Sequence, residues 1–154
     1  ILFFTLPALK AMESNIPIGI FDYTLAAIFV ALVIMEYIAD NQQYYYQEEK
    51  YRQKKIGKVA DFYKIGFTHT GLWAYMRHPN YSAEQAIWIV FYFFSVIATD
   101  IWLNWSIAGA LLLVLLFKGS SDFSEEETEK KYPLYKKYIK EVGRFLPLKK
   151  KFKI

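Results

Sequence analysis

The segment Ile101–Phe117, with the sequence IWLNWSIAGALLLVLLF, runs for seventeen residues without a charge. Two further segments, Ile18–Ile38 and Ala83–Ala98, are almost as apolar. About 20 residues cross the roughly 30 Å of bilayer hydrocarbon. The pattern therefore predicts an all-α, multi-spanning membrane domain over 1–154, with about three spans. A water-soluble helical bundle is disfavoured because charges are excluded from these segments.

The ends of the chain complete this prediction. We interpret Ile1–Leu9 as the stump of a further apolar helix that begins upstream. Beyond Phe117 the chain is charged to its end, which predicts a short helical tail on the cytosol-equivalent side. Only Thr99 and Asp100 separate the second and third spans, so we expect a tight antiparallel hairpin. Asn104 would then lie inside the third span.

The amino-acid composition excludes several kinds of functional site. Apolar residues make up 55% and aromatic residues 19% of the chain, and there is no Cys. Disulfides, thiolate metal sites and a Cys nucleophile are excluded. The two His residues show no zinc-binding spacing, so no metal site is expected. The net charge of +4 fits a membrane better than nucleic acid as the partner.

The placement of basic residues predicts the orientation. One Lys precedes the first span, seven basic residues lie in 40–79 and eleven follow Phe117. By the positive-inside rule, the central loop and the tail share the cytosol-equivalent side. The predicted hairpin between them requires the same arrangement. Polar clusters from different parts of the chain are thereby brought to one face.

The first polar cluster follows the first span. Glu36 and Asp40 are one helical turn apart and point the same way. Carboxylates at a membrane boundary are costly without partners, so they are candidates for a functional site. They would equally mark the end of a helix in water. The stretch Gln42–Lys55 contains good helix formers and could continue the first helix beyond the membrane.

The second polar cluster surrounds Arg77-His78-Pro79-Asn80-Tyr81. Pro79 is well placed to begin the second span, which puts Asn80 and Glu84 on one face of its first turns. A helix start with neighbouring cations suits a phosphate or another anion. The alternative is an ordinary helix start, with Arg77 on a lipid phosphate.

The third polar cluster follows the third span. Gly119-Ser120 predicts a turn, and Ser124 with Glu127 predicts a capping box that opens a short helix. Lys131 and Tyr132 precede Pro133 and could reach the same ligand as the second cluster. On residue types alone, an exposed charged helix explains this segment as well.

These clusters, in this order, resemble the C-terminal domain of the steroid 5-alpha-reductase family. The resemblance covers residues 36–147 and is carried by Glu36-x-x-Ala39-Asp40-x-Gln42, Gly71-Leu72-Trp73, Arg-His-Pro-Asn-Tyr with Glu84, and Lys131-Tyr132-Pro133. It implies a membrane-embedded NADPH site open to the cytosolic side. Matching cofactor-binding positions are Asp40, Asn80, Glu84 and Tyr132, accompanied by Arg77, His78, Tyr81 and Lys131.

The resemblance implies a reductase that acts on the C=C bond of a lipid or steroid-like enone. In that family the groups that polarise the substrate lie on upstream helices, so no catalytic residue is assigned in this sequence. A second hypothesis is a non-catalytic accessory subunit of a larger membrane complex. A third is a methyltransferase that uses S-adenosylmethionine, since more distant kin do so. Expected partners are membrane lipids, a lipid-like substrate and possible membrane subunits, in a membrane that the sequence does not identify.

Overall fold

The computed structural model describes residues 5–153, and all regular structure in this part of the chain is helical. Six helices follow one another: α1 (Leu6–Ala11), α2 (Ile20–Lys55), α3 (Asp61–Lys64), α4 (Pro79–Thr99), α5 (Ala108–Lys131) and α6 (Tyr135–Glu141). Short 3-10 turns lie at Gly71–Ala74 and Trp105–Ile107. The predicted all-α class is confirmed. The first four residues of the predicted stump lie outside the described residues.

Three helical segments are long and apolar enough to cross a membrane: Ile20–Lys55, Pro79–Thr99 and Trp105–Lys131. The most apolar window of the first contains no buried residue. An apolar surface of this kind suits lipid and would be unfavourable in water. The three predicted spans are thus confirmed as helices compatible with an integral membrane protein.

Helix α2 extends well beyond its apolar half, as the composition of Gln42–Lys55 predicts. Glu36 and Asp40 therefore lie inside a continuous helix and do not mark its end. The helix stops at Lys55, shortly before Gly57, which has a left-handed φ of 71°. A glycine adopts this backbone conformation without steric cost.

Helix α5 corrects the prediction for the third cluster. Gly119 and Ser120 lie inside the helix, and so do Ser124 and Glu127, so neither the turn nor the capping box forms. The Thr128 hydroxyl donates to the carbonyl of Ser124 at 2.7 Å, within the continuous helix. One helical glycine costs only about 1 kcal/mol relative to alanine. The buried contacts of the following turns outweigh that cost.

The connection between α4 and α5 is longer than predicted. Asn104 lies before the third helical segment, and the prediction that it lies within the span is wrong. Its carboxamide oxygen accepts from the backbone N–H of Ser106 at 3.0 Å and from the hydroxyl of the same residue at 2.6 Å. Asn favours such N-terminal capping positions over helix interiors. Capping therefore decides where this helical segment begins.

The chain divides into two compact units. One contains residues 5–34 and 83–119, with the apolar parts of the long helices. The other contains residues 35–82 and 120–153 and will be called the polar unit. Its core is mainly aromatic, and is formed by Phe67, Tyr135, Tyr138, Val142 and Phe152.

Candidate functional site

The backbone of Arg77 and His78 is fixed by the C-terminal tail. The N–H of Arg77 donates to the backbone carbonyl of Gly143 at 2.9 Å, and the N–H of His78 donates to the backbone carbonyl of Arg144 at 3.0 Å. At Gly143 an added Cβ would lie 2.1 Å from the carbonyl oxygen of Leu146. Only glycine fits this close approach, so the tail can bend tightly directly after Gly143 contacts the motif.

The Arg77 side chain is buried in an ion cluster, which we define as Arg77, His78, Glu125 and Arg144. Its Nε donates to Glu125 Oε1 at 2.7 Å and its Nη2 to Oε2 at 3.2 Å. His78 Nε2 lies 2.9 Å from Oε1, and Arg144 Nη2 donates to Oε2 at 2.9 Å. The carboxylate of Glu125 thus receives contacts from three basic side chains.

Glu125 remains ionised in this setting. Its side chain lies beyond the apolar part of α5 and only 4% of the residue is exposed. Burial alone would raise its pKa, but hydrogen bonds from His78 and Arg77 outweigh burial and lower the pKa to about 2. The charge of Arg77 is therefore already balanced within the protein. The sequence prediction missed Glu125, which lies unmarked in an acidic run.

Asp40 and Asn80 meet as the shared face predicts, although forty positions separate them in the chain. Asn80 Nδ2 donates to Asp40 Oδ1 at 2.9 Å. The other end of the amide, Asn80 Oδ1, is buried and has no hydrogen-bond partner among the described residues. A buried acceptor without a partner is unfavourable unless a ligand or water supplies a donor.

Glu84 follows Asn80 on α4 by one turn, but belongs to the other compact unit. Its Oε1 accepts from the indole N–H of Trp88 at 2.8 Å. Its predicted role beside Asn80 stays a prediction.

The polar unit contains a cavity of about 260 Å³. Six of the eight predicted site residues line it: Arg77, His78, Asn80, Tyr81, Lys131 and Tyr132. The remaining lining residues are Gln43, Gln47, Lys50, Tyr51, Gly66, Phe67, Thr68, Trp73, Ser124, Thr128, Tyr135 and Tyr138. No Asp or Glu occurs among the described residues that line the cavity. The lining therefore favours an anion over a cation.

Lys50 is the strongest feature of the cavity that the sequence prediction missed. It is 4% exposed, and its ammonium donates to the carbonyl of Gly66 at 2.9 Å. Within residues 5–153 it forms no ion pair with a carboxylate. Burial lowers its pKa because the charged form loses hydration. In the sequence Lys50 stands in a run of charged residues, where nothing distinguishes it from its exposed neighbours.

Aromatic rings surround this ammonium. Lys50 Nζ lies 5.9 Å from the ring centroid of Tyr46, 5.2 Å from that of Tyr51 and 5.9 Å from that of Tyr132. Cation–π attraction operates at these distances and partly replaces the lost hydration. The Tyr132 ring is in turn seated against Gly66, where an added Cβ would lie 1.9 Å from Cε1. The cavity thus combines a buried cation with flat apolar surfaces.

Comparison with known proteins gives a family and an uncharacterised relative. Residues 1–142 match the family DUF1295, described as a protein of unknown function. An uncharacterized protein of the fission yeast Schizosaccharomyces pombe is 39% identical over 136 residues, which cover 84% of this chain and 40% of the relative. The chain thus spans about two fifths of the length of that relative. No solved structure is significantly similar.

Proposed function

We propose that this chain, which belongs to the DUF1295 family, binds NADPH in the cavity of the polar unit and serves the reduction of a C=C bond in a lipid-like enone. The observation that carries the proposal is the acid-free cavity lined by six of the eight residues predicted for the cofactor. Those residues come from separate parts of the sequence, between Arg77 and Tyr132. Their convergence agrees with the expectation from the steroid 5-alpha-reductase resemblance.

The residues that are present fit such a cofactor. Asn80 offers a buried, unpartnered oxygen, and Thr68 a buried, unpartnered hydroxyl, among the described residues. The rings of Tyr51 and Tyr132 supply flat surfaces, and Lys50 and Lys131 supply positive charge. Ligand sites commonly have volumes of about 300–1,000 Å³. With about 260 Å³, the cavity houses one part of a dinucleotide, and the remainder would extend beyond it.

When bound, NADPH would supply a hydride to the substrate. The protein's own contribution would be to hold the cofactor and fix its orientation. The Asn80 side chain is already oriented by its hydrogen bond to Asp40, which leaves the carboxamide oxygen available as an acceptor. We assign no proton donor.

The charge of the cavity favours NADPH over S-adenosylmethionine, the alternative cofactor. S-adenosylmethionine carries a sulfonium cation and no phosphate, whereas NADPH carries several negative charges. A cavity with Lys50 buried in its lining and with no acidic residue among the described lining residues favours the phosphates. The non-catalytic subunit hypothesis concerns turnover and would be compatible with NADPH binding.

A fluorescence titration tests the proposal. Purified protein in detergent micelles should show saturable NADPH binding, and S-adenosylmethionine should not compete. Asn80→Ala removes a carboxamide from the cavity and should weaken binding about tenfold or more. Asn41→Ala is the matched control, since Asn41 also bears a carboxamide but donates to the carbonyl of Tyr37 at 2.7 Å. Absence of saturable binding, or equal affinities for both variants, would refute the proposal.

A further inference from the structure

We propose that Lys50 and Thr68 form a phosphoryl subsite in the cavity of the polar unit. The subsite would bind a phosphoryl group of the ligand, and its assignment to a nucleotide rests on the proposed function. Neither residue belongs to the motifs that predicted the site. The argument rests on burial, on hydrogen bonding and on the rings around the Lys50 ammonium.

The first step concerns the charge of Lys50. An ammonium carries three N–H donors, of which the structure commits one to the carbonyl of Gly66. Three tyrosine rings lie within 6 Å, but rings accept no full hydrogen bond. No carboxylate pairs with the ammonium among residues 5–153. A buried cation with so few partners is unfavourable until an anion reaches it.

The second step concerns Thr68, two residues beyond the glycine that binds Lys50. Thr68 is 5% exposed, and its Oγ1 has no hydrogen-bond partner among the described residues. Both Thr68 and Lys50 line the same cavity. A hydroxyl and an ammonium are donors that suit the oxygens of a phosphoryl group. The two unsatisfied groups therefore identify the same chemistry independently.

The third step concerns the rigidity of this corner. Gly66 has a φ of 91°, a region that side chains rarely adopt, and the Tyr132 ring occupies the space where a Cβ would stand. The carbonyl that holds Lys50 is thus fixed by the backbone, and the ring beside it by packing. A preformed subsite loses little conformational entropy when it binds its ligand.

Inorganic pyrophosphate tests the subsite directly, and NADPH tests its link to the cofactor. Both would be titrated by calorimetry into the full chain in uncharged micelles. Lys50→Met keeps an unbranched side chain among the rings but removes the charge, and should weaken both ligands about tenfold or more. Lys55→Met on the same helix is the control, because Lys55 is exposed, and should change either affinity less than twofold.

Thr68→Val provides a second variant if Lys50→Met fails to fold. It removes the hydroxyl at nearly constant volume and should weaken pyrophosphate several-fold. NADPH binding that neither variant changes would overturn the subsite and leave the proposed function standing. Pyrophosphate binding that depends on Lys50, without NADPH binding, would uphold the subsite and overturn the cofactor. If the wild-type chain binds neither, both proposals are wrong.

A lipid headgroup is the other source of the same chemistry. Micelles that contain phosphatidic acid, compared with micelles that contain phosphatidylcholine, separate the two sources. If phosphatidic acid competes with pyrophosphate, Lys50→Met abolishes this competition, and NADPH does not bind, the subsite would be upheld and assigned to lipid. NADPH binding that is insensitive to phosphatidic acid and sensitive to Lys50→Met would assign it to the nucleotide.

Discussion

Glu125→Gln removes the negative charge at the centre of the ion cluster while keeping the shape of the side chain. In the native protein this carboxylate receives contacts from Arg77, His78 and Arg144. The Arg77 side chain is 6% exposed, so its charge would remain buried without a counter-charge. Because Arg77 also fixes the carbonyls of Ile139 and Val142, the loss should loosen the tail beside the motif.

Two arguments give the expected loss in the free energy of unfolding. Removing one partner of a buried ion pair typically costs about 3–5 kcal/mol. Lowering the pKa of Glu125 from an ordinary 4.5 to about 2 corresponds to about 3 kcal/mol of stabilisation. Arg144 lies at the solvent edge with its side chain 29% exposed, and Gln keeps one acceptor oxygen, so screening reduces the effect. We expect a loss of about 2–3 kcal/mol in the free energy of unfolding.

The assay is reversible unfolding in mixed micelles, followed by tryptophan fluorescence and circular dichroism. Glu126→Gln is the matched control, because its neighbouring carboxylate is exposed and pairs only at the surface with Lys130 at 2.8 Å. An exposed pair contributes about 0–1 kcal/mol. If the two variants differ by less than about 0.5 kcal/mol, the ion cluster does not stabilise the polar unit as argued.

Three other predictions address the same unit. Since the pKa of Glu125 is lower in the folded than in the unfolded chain, its stabilisation should be lost as pH falls from about 4.5 to 2; an equal acid sensitivity of Glu125→Gln in pH-dependent melts would contradict this. Tyr138→Phe removes the hydroxyl that donates to the carbonyl of Trp73 and should cost about 1–2 kcal/mol in denaturant titration, whereas a neutral result would show that the bond adds nothing. Gly66 has a φ of 91°, and an added Cβ would collide with the Tyr132 ring, so Gly66→Ala should destabilise the unit and weaken NADPH binding. Wild-type stability together with wild-type affinity would refute the proposed packing of that ring against Gly66.

The helices could be predicted from the sequence because bilayer physics acts on composition alone. Charge exclusion located the apolar segments, and Pro79 correctly predicted the first residue of α4. The errors occurred where local preference competes with tertiary contacts. Gly119-Ser120 has turn propensity, yet the helix continues because the turns that follow are held by the ion cluster. Asn104 was predicted to lie inside the third span because its neighbours are apolar, but its carboxamide caps the turn that precedes α5.

The candidate site was predictable only in part, for a related reason. The motifs and the family resemblance identify eight candidate residues, and six of these line the cavity. The sequence does not indicate which charges are neutralised by ion pairs in the folded protein. Arg77 is paired with Glu125, whereas Lys50 has no carboxylate partner in the described chain, and no local motif predicts this difference. Burial of a lysine in a charged run depends on long-range packing against Gly66 and Tyr132. The local pattern of polar and apolar residues does not predict that packing.

Photoaffinity labelling with an azido derivative of NADPH tests the central claim most directly. After irradiation of the intact chain in micelles, peptide mass spectrometry locates the labelled residues. We expect labels on cavity residues such as Tyr51 and Tyr132, with loss of labelling when unmodified NADPH is in excess. Labelling confined to other parts of the chain, or labelling that excess NADPH does not reduce, would contradict NADPH binding in the cavity.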